Sequence, residues 1–171
     1  RETIADGGLA RTKARLIHAL LGKIKSDWGA FELSFMQSWE TPAIRDYLSS
    51  LPGIGQKAAA CTLAYSFGRD VCPVDTHTYR VTVRLGILSA EARETGRSPH
   101  ISLEHALPGG QHLGFHINAV AHGRQRCSLH RPQCTTCPVA DFCIAPQHGR
   151  YSRKVAAQPR YRGEAAITSD L

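Results

Sequence analysis

Four cysteines, Cys127, Cys134, Cys137 and Cys143, fall within 17 residues at spacings of six, two and five, and they constrain this chain more than any other feature. The chain opens on the charged run Arg1-Glu2-Thr3, which lacks the apolar core of a secretory segment. The group therefore reads as a metal site in a reducing compartment rather than a disulfide framework. Four thiolates this close can ligate a zinc ion or a cubane iron–sulfur cluster, and the spacing alone leaves both open. Cys61 and Cys72 stand apart and read as small buried hydrophobes.

Ahead of the cysteines the apolar pattern is helical. Ala14, Leu16, Ile17, Leu20, Leu21 and Ile24 recur at helical spacing over 10–25 with Arg11, Lys13, Arg15, Lys23 and Lys25 between them, predicting an amphipathic helix that Asp27-Trp28-Gly29 ends. A shorter element is expected over 30–37, and Thr41-Pro42 has the form of a helix start for a segment reaching Ser50. Further helices are predicted over 56–67, after a cap at Asp75 or Thr76 and ending near Gly86, and over 111–122. Residues 89–100 read as a loop, and the chain from Gln147 as a frayed basic tail. No strand period is sustained and no internal repeat is found, so the expected class is all-α. No apolar run nears the roughly 18 residues that span a bilayer. A formal charge of +7 favours a polyanionic partner, nucleic acid first.

Between two of the predicted helices lies Leu51-Pro52-Gly53-Ile54-Gly55-Gln56-Lys57. Glycines at the third and fifth positions permit a tight turn and close approach to another chain. The helix N-terminus that follows is suited by its dipole and outward N–H groups to a DNA phosphate, a contact that positions a protein without reading sequence. Lys57 sits just inside that helix, and Val74-Asp75-Thr76-His77 follows, with Asp75 18 residues beyond the lysine. Taken singly, these residues have plainer readings: a glycine-containing connection, a solvated surface lysine and a helix N-cap.

Together, LPGIGQKAAA and PVDTHTYRVTVRLG resemble the hairpin and catalytic segment of the endonuclease III family of helix-hairpin-helix (HhH-GPD) DNA glycosylases. The resemblance covers about residues 7–145. It implies a helical barrel domain with the hairpin plus an iron–sulfur cluster domain, with Lys57 as nucleophile and Asp75 as essential carboxylate. Gln56 stands at a position that varies in the family, where an arginine or another residue is common. The cysteine spacing and the preceding His122-Gly123-Arg124 also match that family, which implies a 4Fe–4S cluster held by Cys127, Cys134, Cys137 and Cys143. Candidate DNA contacts are Gly53, Gly55 and Gln56 in the hairpin, and Arg124, Arg126, His130 and Arg131 beside the cluster. Leu9, in GGLARTKA, resembles the family's apolar wedge, which offsets the cost of unstacking when a base is flipped out.

The chemistry suits the residue types. A lysine amine attacks the sugar carbon bearing a damaged base only when neutral, a form that partial burial beside cations would favour. A carboxylate nearby can take a proton or stabilise the developing positive charge. His77 and His116 read as core or hydrogen-bonded histidines, since four cysteines already complete a site.

The implied activity is a bifunctional glycosylase and abasic-site lyase, acting on oxidised pyrimidines in duplex DNA as a monomer, in the nucleoid if the source is bacterial. Two other readings stay open on the sequence. A monofunctional mismatch glycosylase of the same superfamily usually lacks the lysine. A non-catalytic DNA-binding module would use hairpin and cluster only to dock, and needs neither Lys57 nor Asp75. Expected divisions are a barrel domain over 1–86, a cluster domain over 87–146 and the tail over 147–171. Two to four helices that precede Gly7 in the family, including pocket-lining ones, are expected to belong to a longer chain.

Overall fold

The computed structural model describes residues 9–89 and 98–145; the tail expected from Gln147 lies outside them. Among the described residues there are six α-helices and short 3-10 turns, with no strand, as the periodicity predicts. No described helix is long and apolar enough to cross a membrane. The chain divides into two compact units, the first reaching Ala59 and the second starting at Ala60.

In the first unit α1 spans Ala10–Trp28, and Gly29 stops it in the left-handed region with φ 72°, at the Asp27-Trp28-Gly29 stop read from the sequence. Tertiary contacts hold its last turn. Trp28 packs its ring 4.7 Å from Phe35, 5.8 Å from Trp39 and 5.7 Å from Tyr47. Its indole N–H donates to the Tyr47 hydroxyl at 2.7 Å, and that hydroxyl donates to Asp27 at 3.2 Å. The short element appears as a 3-10 turn over Ser34–Ser38 that buries Met36 completely. Helix α2, Thr41–Ser50, carries Pro42 in its first turn and buries Ile44 and Leu48, four apart on one face. The chain passes from the first unit to the second within α3, Gln56–Tyr65.

The second unit is organised by α4, Thr76–Leu85, which buries Thr78, Tyr79, Arg80, Val81, Thr82 and Arg84. Gly86, left-handed at φ 78°, ends it, and a Cβ there would lie 2.9 Å from Ile144. Helix α6, His112–Gln125, packs along α4. The approach is close: a Cβ on Gly123 would stand 2.9 Å from the Cβ of His77. Cys72, Val74, Tyr79, Leu88 and Leu103 form the core, flanked by Val83, Ile87, Leu107 and Phe115. Burial pushes the Cys72 thiol up to about 12, aided by the charges of Glu104 and Asp70, so it is an inert apolar filler as expected. Cys61 corrects that expectation in part, being only half-buried.

Helix α5, Pro99–Ala106, begins inside the segment read as a loop. Only His100 and Leu103 are buried in it. His100 holds a core position by accepting the Val74 N–H at 3.1 Å, so the buried stripe is half polar and hydropathy does not display it.

The turn before α6 contains an ion pair with a defined protonation state. His112 places Nδ1 2.7 Å from Asp70 and Nε2 2.9 Å from the Glu104 carbonyl. Both partners are acceptors, so both ring nitrogens carry protons and His112 is a cation. Asp70 also accepts the Gly110 N–H at 2.5 Å, which with the His112 bond holds its carboxyl below the ordinary range. Burial pulls His112 down, but the bonds to Asp70 and Glu104 outweigh it and raise its pKa. The stabilisation from His112 is fully present below the ordinary histidine range and is lost as pH rises through the raised value. That from Asp70 is lost as pH falls through its lowered value. Melting temperature measured between about pH 6 and pH 8 is therefore expected to fall by about 2 °C more in wild type than in Asp70→Asn, the exposed carboxylate keeping the effect small. Parallel curves for the two proteins would refute the pairing.

Candidate functional site

The hairpin sits in the first unit. Leu51 and Ile54 close the turn through an Ile54 N–H to Leu51 carbonyl bond of 3.1 Å, and α3 starts as the Ala59 N–H bonds the Gly55 carbonyl. The two glycines serve different ends. Gly53 has φ 79°, and a Cβ there would press to 3.1 Å from the Leu16 side chain of α1, so its glycine is required by the turn and its packing. Gly55 has neither reason: its φ is not positive and a Cβ there would meet open space. What its bareness leaves is room for an outside group to reach the backbone at the start of α3. Gln56 and Lys57 follow, both exposed, so the partial burial expected for Lys57 is not found.

Leu9, at the N-cap of α1, is the described non-glycine residue with positive φ, at 53°. It is also 78% exposed. An apolar, γ-branched residue held left-handed and in water loses on both counts, a combination that clusters at functional positions.

In the second unit Asp75 is the N-cap of α4, accepting the Thr78 N–H at 2.7 Å. Burial would raise its pKa; the hydrogen bonds from the Thr78 backbone and side chain, and the charges of His77 and His116, outweigh burial and hold it below the ordinary carboxylate value. The cap and the anion are thus one feature. His77 and His116 are hydrogen-bonded as expected, His77 to the Arg80 guanidinium at 3.0 Å and buried His116 to Thr78 at 3.1 Å.

All four clustered cysteines line one small cavity of about 30 Å³, together with Arg84, Leu85, His122 and Arg126. Among the described residues no three His, Cys, Asp or Glu side chains gather around a point where one metal ion could sit. Zinc bonds of about 2.3 Å would draw the sulfurs around a single centre. Four thiols lining one cavity are a donor set that fits an iron–sulfur cluster.

Two arginines that the sequence analysis passed over tie this loop to α4. Buried Arg84 sends Nη1 to the Ser128 carbonyl at 2.8 Å and the Cys127 sulfur at 3.1 Å, and Nη2 to the Leu129 carbonyl at 3.0 Å. Arg80 donates Nε to the Cys127 carbonyl at 2.9 Å and Nη2 to the Gly123 carbonyl at 2.8 Å. Their spacing, five and nine residues after Asp75, places them one turn apart on α4. Among the candidate DNA contacts Arg124, Arg126 and Arg131 are exposed. Arg126 also braces the loop internally, donating to Gln133 at 3.0 Å.

No family model matches the chain. It is 32% identical to the endonuclease III of Bacillus subtilis over 143 residues, which is 84% of this chain and 60% of that protein. A solved non-covalent endonuclease III–DNA complex superimposes with a TM-score of 0.67 at 30% identity, over 86% of this chain and 64% of that one. A trapped endonuclease III–DNA covalent intermediate gives 0.63 at 29% identity, with the same coverage. The chain thus spans about three fifths of the length of the relatives it matches.

Proposed function

We propose that the chain is an endonuclease III-like helix-hairpin-helix glycosylase, acting as a bifunctional DNA glycosylase and abasic-site lyase of base excision repair. The observation that supports this best is the hairpin: Gly55 leaves the start of α3 open, and exposed Lys57 follows two residues on. Backbone there would take a DNA phosphate while Lys57 reaches the sugar. Gln56 and the exposed arginines Arg124 and Arg131 add backbone contacts, and Leu9 fills the stack behind the extruded base. The partner is duplex DNA with a damaged base, an oxidised pyrimidine by resemblance, or an abasic site, bound by a monomer.

The neutral Lys57 amine attacks the sugar carbon as its bond to the base breaks, and the base leaves with a proton. The sugar ring then opens: the C1′–O4′ bond breaks as the C1′–N double bond forms, and the second amine proton passes to O4′, giving the Schiff base; β-elimination removes a C2′ proton, expels the 3′ phosphate and nicks the strand. Asp75 supplies the carboxylate. Cys127, Cys134, Cys137 and Cys143 would hold a 4Fe–4S cluster, which when bound cross-links the loop from 127 to 143. The test is borohydride trapping on a duplex with one abasic site. A covalent protein–DNA adduct is expected. A cluster-loaded protein that binds the duplex but yields none is a monofunctional enzyme or a docking module.

A further inference from the structure

Buried polar groups around Asp75 form a chain that its capping role does not need. Thr78 is fully buried and gives Asp75 its N–H at 2.7 Å, and its side chain adds to the causes that hold that carboxyl below the ordinary range. The Thr78 hydroxyl oxygen lies 3.1 Å from Nδ1 of His116, a buried residue of α6. A threonine hydroxyl has one proton to give. A carboxylate can only accept, so when the threonine proton goes to Asp75, Nδ1 of His116 is the donor to the same oxygen. Capping α4 requires the backbone N–H alone. Neither a hydroxyl nor a histidine on a neighbouring helix is needed for it.

We propose that Thr78 and His116 are positioning residues for Asp75: the Nδ1–H of His116 donates to Thr78 Oγ1, which aims the threonine proton at the carboxylate and keeps it an anion. Asp75 then serves as the fixed negative charge facing a sugar that becomes positive as its base departs, and not as a group that delivers a proton. The inference rests on the assignment of Asp75 made above and deepens it. The relay does not depend on the charge of His116, because the neutral Nδ1–H tautomer and the imidazolium both donate. The ionisable groups acting on Asp75 within this unit are His77 and Arg80 from α4 and His116 from α6. All are neutral or positive, so none opposes the anion.

The test reads the carboxyl directly. In full-length protein without DNA, the 13C carboxyl resonance of Asp75, assigned with Asp75→Asn, is followed from about pH 8 down to about pH 4.5. The wild-type resonance is expected to stay that of the anion through about pH 5. Thr78→Val should move the titration up by about one pH unit or more, and Thr78→Ser should restore it. His116→Phe, which keeps the hydroxyl but removes its donor, should shift it in the same direction and carries the prediction if Thr78→Val does not fold. Wild-type Asp75 titrating above the ordinary carboxylate value, a folded Thr78→Val titrating with wild type, or Thr78→Ser titrating with Thr78→Val would each overturn the proposal. Because no DNA is present, failure of the trapping assay does not affect this result. In protein that does cleave, the acid limb of the single-turnover rate should move with the resonance.

Discussion

Lys57→Gln is expected to abolish the borohydride-trapped adduct, by at least about a thousandfold, while leaving the fold intact and DNA binding within severalfold of wild type. Lys57 is exposed at the second position of α3, and glutamine has similar helix propensity, so stability should move by no more than about 0.5 kcal/mol. What glutamine lacks is an amine that can form the carbon–nitrogen bond and lose two protons to a Schiff base. Binding loses at most one positive charge near phosphate. The separation of the two readouts is the informative part. An adduct that persists in Lys57→Gln would assign another amine as nucleophile. Loss of binding in step with loss of adduct would make Lys57 a docking residue.

The second large effect falls on stability. Arg84→Met should cost about 3 kcal/mol or more, seen as a lower unfolding midpoint and as loss of bound iron on purification. One buried guanidinium satisfies the Ser128 and Leu129 carbonyls and the Cys127 sulfur together. Methionine fills much of the space but leaves these acceptors without a donor, and the first cysteine of the group loses its tether to α4. Arg84→Lys should not restore the variant, since a single ammonium cannot span two carbonyls and a sulfur as a planar fork does. An Arg84→Met protein with wild-type midpoint and iron content would show that the loop is held by the cysteines alone.

Much of this was legible in the residues. The helical period of residues 10–25, Pro42 at a helix start, Asp75 as a cap and Gly86 as a stop each act within a few neighbours, and each appears in α1, α2 and α4 as read. The four cysteines announce themselves by spacing. Their choice of occupant does not, because zinc and a cluster accept the same residues.

Other features were invisible along the chain because their partners are distant in it. Helix α5 carries a buried histidine where periodicity looks for an apolar residue, and its reason is the Val74 N–H, 26 residues earlier. Arg80 and Arg84 look like solvated charges until their acceptors, more than 40 residues away, are seen. Thr78 looks like an ordinary helix residue until His116 is placed beside it. The sequence by itself determined the all-helical class, the hairpin, the cap at Asp75 and the cysteine group, since these depend on local backbone preference and on residue type. Tertiary structure alone decided which polar groups are buried, what each one bonds, and how Asp75 is held ionised, because desolvation and hydrogen-bond geometry are properties of the packed helices and not of any one segment.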